Sequence, residues 1–140
     1  MNQAEFKPRT KGVALRVIAL SGEIPRSHAG DVIARQLIRS ATSVGANYRA
    51  ACRARSPQEM FAKLSVVEEE ADESLYWLEL LEESRLVQAE HPADVRREMS
   101  EIVAMVVQSK KTLRSRLARR LDGNQQSTIV NRQSIVGSPR

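Results

Sequence analysis

One cysteine, Cys52, stands in the whole 140-residue chain. A single thiol excludes an internal disulfide framework and any zinc or iron–sulfur site built on several thiolates, and it suits a reducing compartment. Glycine (6 residues) and proline (5) are sparse and aromatics make up 4%, which leaves too few turn formers and rings for an ordinary β-sandwich. No stretch nears the roughly 18 apolar residues of a membrane-spanning helix, and the opening MNQAEFKPRTKG lacks the apolar run of a signal peptide. The expected location is therefore cytoplasmic, with no membrane partner.

Histidine is scarce as well. His28 and His91 both fall in expected connections, with Pro25 and Gln88 three residues before them, so the Glu-x-x-His ligand pairs of a di-iron bundle are missing. No nucleophile motif accompanies them, and no GxxxxGK phosphate loop occurs. Cys52, on the edge of an apolar helix face, reads as a small buried thiol. No catalytic residue, metal ligand or cofactor is assigned, and an enzyme is not expected.

What is present is helical pattern. Apolar residues supply 41% and charged residues 28% of a chain long enough for one compact domain. A short first helix is expected over about 11–22, with Val13, Val17 and Leu20 on one side. The second runs from about Asp31 to Arg55 and carries Ile33, Leu37, Ala41, Val44, Tyr48 and Ala51 at helical spacing. Ser56-Pro57-Gln58-Glu59 then places Ser at the N-cap, Pro at the first helical position and Glu two further on, the pattern of a capping box. From it a third helix extends to about Ser84 along Met60, Leu64, Val67, Ala71, Leu75, Leu78 and Leu81. The fourth opens at His91-Pro92, follows Val95, Met99, Ile102, Val106, Ser109, Leu113 and Leu117, and fades near Leu121. Short connections between long helices predict an all-α, antiparallel up-down four-helix bundle over 1–121. Residues 122–140, polar and without a sustained period, are expected to form a flexible tail.

Charge is unevenly distributed. The net charge of +5 suits a polyanion but serves solubility equally well. Between Val32 and Gln58 there are five arginines and no acid. At 100° per residue Arg35, Arg39, Arg49 and Arg53 fall within an arc of about 80°, opposite the apolar face. Two readings stay open: a solvated face answered by acids of the next helix, or a track for phosphates, which guanidinium groups bind bidentately. With no aromatic among these arginines, base stacking is not expected. The third helix has the opposite sign, with eight acids and no Lys or Arg from Glu68 to Glu83. The end of the fourth carries Lys110, Lys111, Arg114, Arg116, Arg119 and Arg120 with no acid among them. These cations either complement the helix dipole or, repeated by a symmetric assembly, form a positive rim.

The third helix is also apolar on more than one side. Val66, Trp77 and Leu80 lie about 60° to 180° from its seam, with Glu73 among them and Tyr76 beyond. Such a stripe marks a contact with another chain, so a homo-oligomer is expected with Val66, Glu73, Tyr76, Trp77 and Leu80 at its interface. The competing arrangement has the short first helix covering the stripe.

Two runs, QLIRSATSVGANYRAACRARSPQEMFAKL and EADESLYWLELL, fall in the order and separation of a known group. The chain from about residue 6 to 121 resembles the bacterial four-helix-bundle proteins encoded in intervening sequences of large-subunit ribosomal RNA genes. That family is similar to the accessory protein of diversity-generating retroelements, a basic pentameric barrel that binds nucleic acid and partners a reverse transcriptase. The resemblance implies a ring of five subunits without enzymatic activity, a nucleic-acid partner contacted by the basic surfaces, and a protein partner such as a reverse transcriptase. Where many relatives read Asn-Tyr-Arg-Glu-Ala, this chain has Asn47-Tyr48-Arg49-Ala50-Ala51, which leaves Arg49 without that acid.

The expected function is thus a non-enzymatic oligomeric bundle binding RNA or DNA through basic surfaces, accessory to a nucleic-acid-processing partner. The alternative, of a different class, is a protein-interaction scaffold without nucleic-acid binding.

Overall fold

The computed structural model describes residues 2–136, and their side chains as far as residue 129. Four helices, α1 (Gln3–Ser21), α2 (His28–Cys52), α3 (Pro57–Ser84) and α4 (Glu90–Val136), account for the fold, and no strand occurs among the described residues. They pack as a square: α1 touches α2 and α4, α3 touches α2 and α4, and among the described residues neither diagonal pair meets.

Each start has a local cause. Asn2 caps α1 by accepting the Ala4 N–H at 2.9 Å, so the helix begins eight residues before the expected position near 11. Pro8 inside it lacks the N–H that would reach the carbonyl four residues back. Burial of Phe6 and Thr10 offsets that loss, and Phe6 packs edge-on against Tyr48 of α2 with ring centroids 4.4 Å apart. Ser27 caps α2, accepting the Gly30 N–H at 2.9 Å. Gly30 is required there, because a β-carbon would come within 2.6 Å of the Pro25 carbonyl oxygen. This cap starts α2 three residues before Asp31, and the helix ends at Cys52, short of Arg55. The N-cap half of the expected capping box is present, Ser56 Oγ accepting the Glu59 N–H at 3.1 Å, while the Glu59 carboxylate reaches one residue further back than the box requires and accepts the Arg55 N–H at 3.0 Å.

The seam positions fill the interior. Leu37, Ala41 and Val44 of α2, Leu64, Val67, Ala71, Leu78 and Leu81 of α3, and Met99, Ile102 and Val106 of α4 are all fully buried. Each large side chain contributes about 1.5–3 kcal/mol by leaving water. One polar bridge lies among them, where the Ser40 hydroxyl accepts from the Ser74 hydroxyl at 2.9 Å and donates to the Leu37 carbonyl at 3.2 Å.

Along α4 the sequence pattern outruns the core. Burial stops at Val106, and Leu113 and Leu117, which share hollows with Met60, Leu64 and Pro57 of α3, are only partly covered; α4 has 47 residues against 28 in α3. The helix also continues beyond Leu121 to Val136. No proline interrupts it between Pro92 and Pro139, and each added residue closes one more backbone hydrogen bond. Residues 121–129 of this extension are exposed. The last part of the expected tail, 137–140, lies outside the described residues.

Candidate nucleic-acid and subunit interfaces

The outward face of α2 presents Arg35, Arg39, Arg49 and Arg53 to solvent, as the spacing predicts. The four do not share one environment. Arg39 is held by α3, with Nη1 3.3 Å from Glu70 and Nη2 bonded to Glu73; hydrogen bonding to Glu73 is the main cause of its raised pKa. Arg35, Arg49 and Arg53 have no carboxylate within 4.0 Å among the described residues. Among the described residues, the reading of a face answered by the acids of the next helix therefore holds for Arg39 alone of the four.

The basic end of α4 divides similarly. Lys110 donates to Glu68 of α3 at 2.7 Å and sits 5.1 Å from the Phe61 ring centroid, and Arg114, one turn on, lies 5.2 Å from the same ring. Lys111, Arg116, Arg119 and Arg120 are exposed. Lys110 and Arg114 are therefore anchored on α3, while Arg116, Arg119 and Arg120 border a shallow hollow with Pro57 at its first turn.

Sequence reasoning named Arg49 and Arg53 but missed Lys7, Lys11, Arg55 and Lys63, which the fold brings beside them. Between α1 and α2 runs an open groove of about 650 Å³, bordered by Lys7 and Lys11 on one helix and Arg49 and Arg53 on the other, with Gly45 and Ala46 on its floor. A neighbouring hollow of about 540 Å³ shares Ala46, Arg49 and Arg53 and adds Arg55, Lys63 and Glu59. None of these six cations has a carboxylate within 4.0 Å among the described residues. The one acid among the lining residues, Glu59, accepts the Arg55 backbone N–H. A first helix starting near residue 11 leaves Lys7 outside it, which hides the row. The i, i+4 pair Lys7/Lys11 was the available signal.

On α3 the second apolar stripe is only partly covered, Trp77 and Leu80 packing against the edge of the core. Trp77, Val66 and Leu80 are half-buried and Tyr76 is 55% exposed. Tyr76 meets Trp77 edge-on at 5.3 Å, and the Trp77 indole N–H donates to Glu73 at 3.3 Å. The first helix does not cover this stripe, contrary to the competing arrangement, because α1 occupies the opposite corner of the square. That opposite corner has its own apolar side chains in water, Leu15 (57% exposed) and Ile18 (49%).

Cys52 is half-buried beside Tyr48. Burial, with the neighbouring thiol adding to it, pushes the Tyr48 phenol well above its ordinary range. Among the described residues no group of three or more His, Cys, Asp or Glu side chains is placed to hold a metal ion, and no helix is long and apolar enough to cross a membrane.

No curated protein matches the chain. Among solved structures, a protein of unknown function from the S23 ribosomal protein family of Bacteroides thetaiotaomicron is 30% identical and superposes with a TM-score of 0.71, covering 76% of this chain and 98% of that one. Residues 3–108 match the model of the 23S rRNA-intervening sequence proteins, a span that takes in α1 to α3 and the buried part of α4. On that match and that shared fold, the chain belongs to the 23S rRNA-intervening sequence protein family.

Proposed function

We propose that the chain is a non-enzymatic, cytoplasmic, oligomeric bundle that binds RNA or DNA through its phosphates, as an accessory to a nucleic-acid-processing protein such as a reverse transcriptase. The observation that carries this reading is the set of exposed cations without acidic partners on α2, where Arg35, Arg49 and Arg53 project into solvent. Phosphate contacts made by such side chains supply affinity without sequence readout.

An antiparallel up-down order is supported by the cross-links, since Glu82 pairs with Arg96 and Glu68 with Lys110 along α3 and α4. A ring is supported by the placement of the two apolar patches. Leu15/Ile18 and Tyr76/Trp77 lie on diagonal helices, so one subunit's first patch meets the next subunit's second, a head-to-tail contact that closes by rotation. Five subunits is the number that the family resemblance implies. Repetition around a ring multiplies weak phosphate contacts into collective affinity.

The test is light scattering on a sizing column, with and without a single-stranded RNA, at low and high salt. A ring-sized species that takes up RNA at low salt and releases it at high salt is the expected result. An oligomer indifferent to RNA at all salt concentrations transfers the reading to a protein scaffold, and a monomer removes the ring.

A further inference from the structure

We infer that the α1/α2 groove, where Arg49 and Arg53 of the arginine row face Lys7 and Lys11, is the site that grips a nucleic-acid strand in preference to Arg35, Arg39 or the basic end of α4, and that it takes a single phosphodiester backbone. The inference rests on the proposed nucleic-acid reading and adds to it the place, the residues and the form of the ligand.

Four observations meet there. First, the cations stand in two facing rows, Lys7/Lys11 on α1 and Arg49/Arg53 on α2, each pair spaced by about one 5.4 Å helical turn. A strand lying between them is held from both sides. Second, the floor is made of Gly45 and Ala46, so no side chain obstructs a backbone from settling between the rows. α1 and α2 approach closely beneath it: a β-carbon on Gly45 would already touch Thr10 Oγ1 at 3.4 Å. Third, the track does not end at Arg53, because the adjoining hollow carries it on to Arg55 and Lys63. Fourth, the charge is uncommitted. Arg39 and Lys110 are already answered by Glu70, Glu73 and Glu68, whereas no groove cation lies within 4.0 Å of a carboxylate among the described residues, a freedom shared with Arg35 and the outer cations of α4 but combined with two facing rows only here. An anion entering the groove need not displace an existing partner.

No aromatic ring lines either hollow. Bases are therefore left pointing outward, unstacked by the protein, and base identity has little effect.

The experiment measures binding of a fluorescein-labelled oligouridylate by anisotropy across a salt series, using the full chain and four variants. Ala46→Glu puts an acid on the floor at an exposed helical position, and Ala46→Gln matches its size without charge. Lys11→Ala with Arg49→Ala removes one cation from each row, and Arg119→Ala with Arg120→Ala alters the end of α4. Expected is a loss of affinity of about tenfold or more for Ala46→Glu, with Ala46→Gln closer to the parent. The double groove variant lowers the slope of log K against log salt by about 0.7 for each phosphate left unneutralised, the single-strand value. The α4 variant retains most of the affinity. Parent-level binding by both groove variants, with weakened binding in the α4 variant, overturns the groove while leaving nucleic-acid binding intact. A parent that binds no oligouridylate, oligothymidylate or duplex overturns the underlying reading itself. Preference for the duplex over both single strands overturns the single-backbone assignment. Far-UV circular dichroism and melting of each variant separate a binding defect from a folding defect.

Discussion

Glu73 of α3 accepts from Arg39 of α2 and, through its other oxygen, from the Trp77 indole at 3.3 Å. A residue expected at the nucleic-acid surface and one expected at the subunit interface are thus joined through one carboxylate.

This carboxylate makes stability depend on pH in a defined direction. Hydrogen bonding from Arg39 holds the Glu73 pKa below its ordinary value of 4.5, with burial opposing and Trp77 assisting. A depressed carboxylate stabilises the fold fully above its unfolded-state value and loses that contribution as pH falls through the folded-state value. Glu73→Gln is therefore expected to lower the melting temperature at neutral pH, with the difference from the parent closing as pH drops below 4.5. The effect is small, since surface pairs are weak and salt-screened. Melting curves from pH 7 to 3 would count against the arrangement if the gap stayed constant.

Trp77 is the chain's one tryptophan, and it reports on its own surroundings. If α3 meets a neighbouring subunit there, dilution should shift its emission to the red as the half-buried ring gains water. Trp77→Ala should reduce the sedimentation coefficient to that of a smaller species. An unaltered oligomer in the variant would place the interface elsewhere.

Leu78 is fully buried on the seam of α3. Leu78→Ala removes apolar packing and leaves a cavity, at a cost of about 2–5 kcal/mol. Urea unfolding is the measurement, and a destabilisation below about 1 kcal/mol would mean that the site collapses around the smaller side chain.

Arg85 ends α3 in the left-handed conformation, with φ 58° and ψ 26°, and is the one non-glycine residue of positive φ among those described. A β-carbon there costs about 1 kcal/mol or more, partly offset by the greater chain entropy that glycine gives up on folding. Arg85→Gly should raise stability by about 0.5 kcal/mol. A raised urea midpoint with an unchanged slope is the expected signature.

Ending the chain after Leu121 tests whether the α4 extension belongs to the bundle. Residues 122–129 are exposed, so the truncation is expected to leave the melting temperature unaltered and to reduce helical ellipticity. A marked fall in stability would show that the extension packs against another subunit.

Much of the helical fold was written in local pattern. The 3.6-residue recurrence of Leu64, Val67, Ala71, Leu78 and Leu81 specified a buried face, and Ser56-Pro57-Gln58-Glu59 specified where α3 begins, because periodicity and capping are interactions within one helix. The start of α1 and the reach of α4 were less legible: Pro8 and the polar composition after Leu121 argue against helix locally, yet packing of Phe6 on Tyr48 overrides the first, and an unbroken backbone ladder carries helix through the second. The arginine arc on α2 was equally visible, since angular position follows from spacing alone. What those arginines face was not. Whether Arg39 is neutralised by Glu70 and Glu73, whether α1 covers Trp77, and whether Lys7 and Lys11 come to border Arg49 and Arg53 all depend on which helices are neighbours in the square. That is decided by how four apolar faces share one core, so residues distant in sequence acquire a common surface only once the bundle closes.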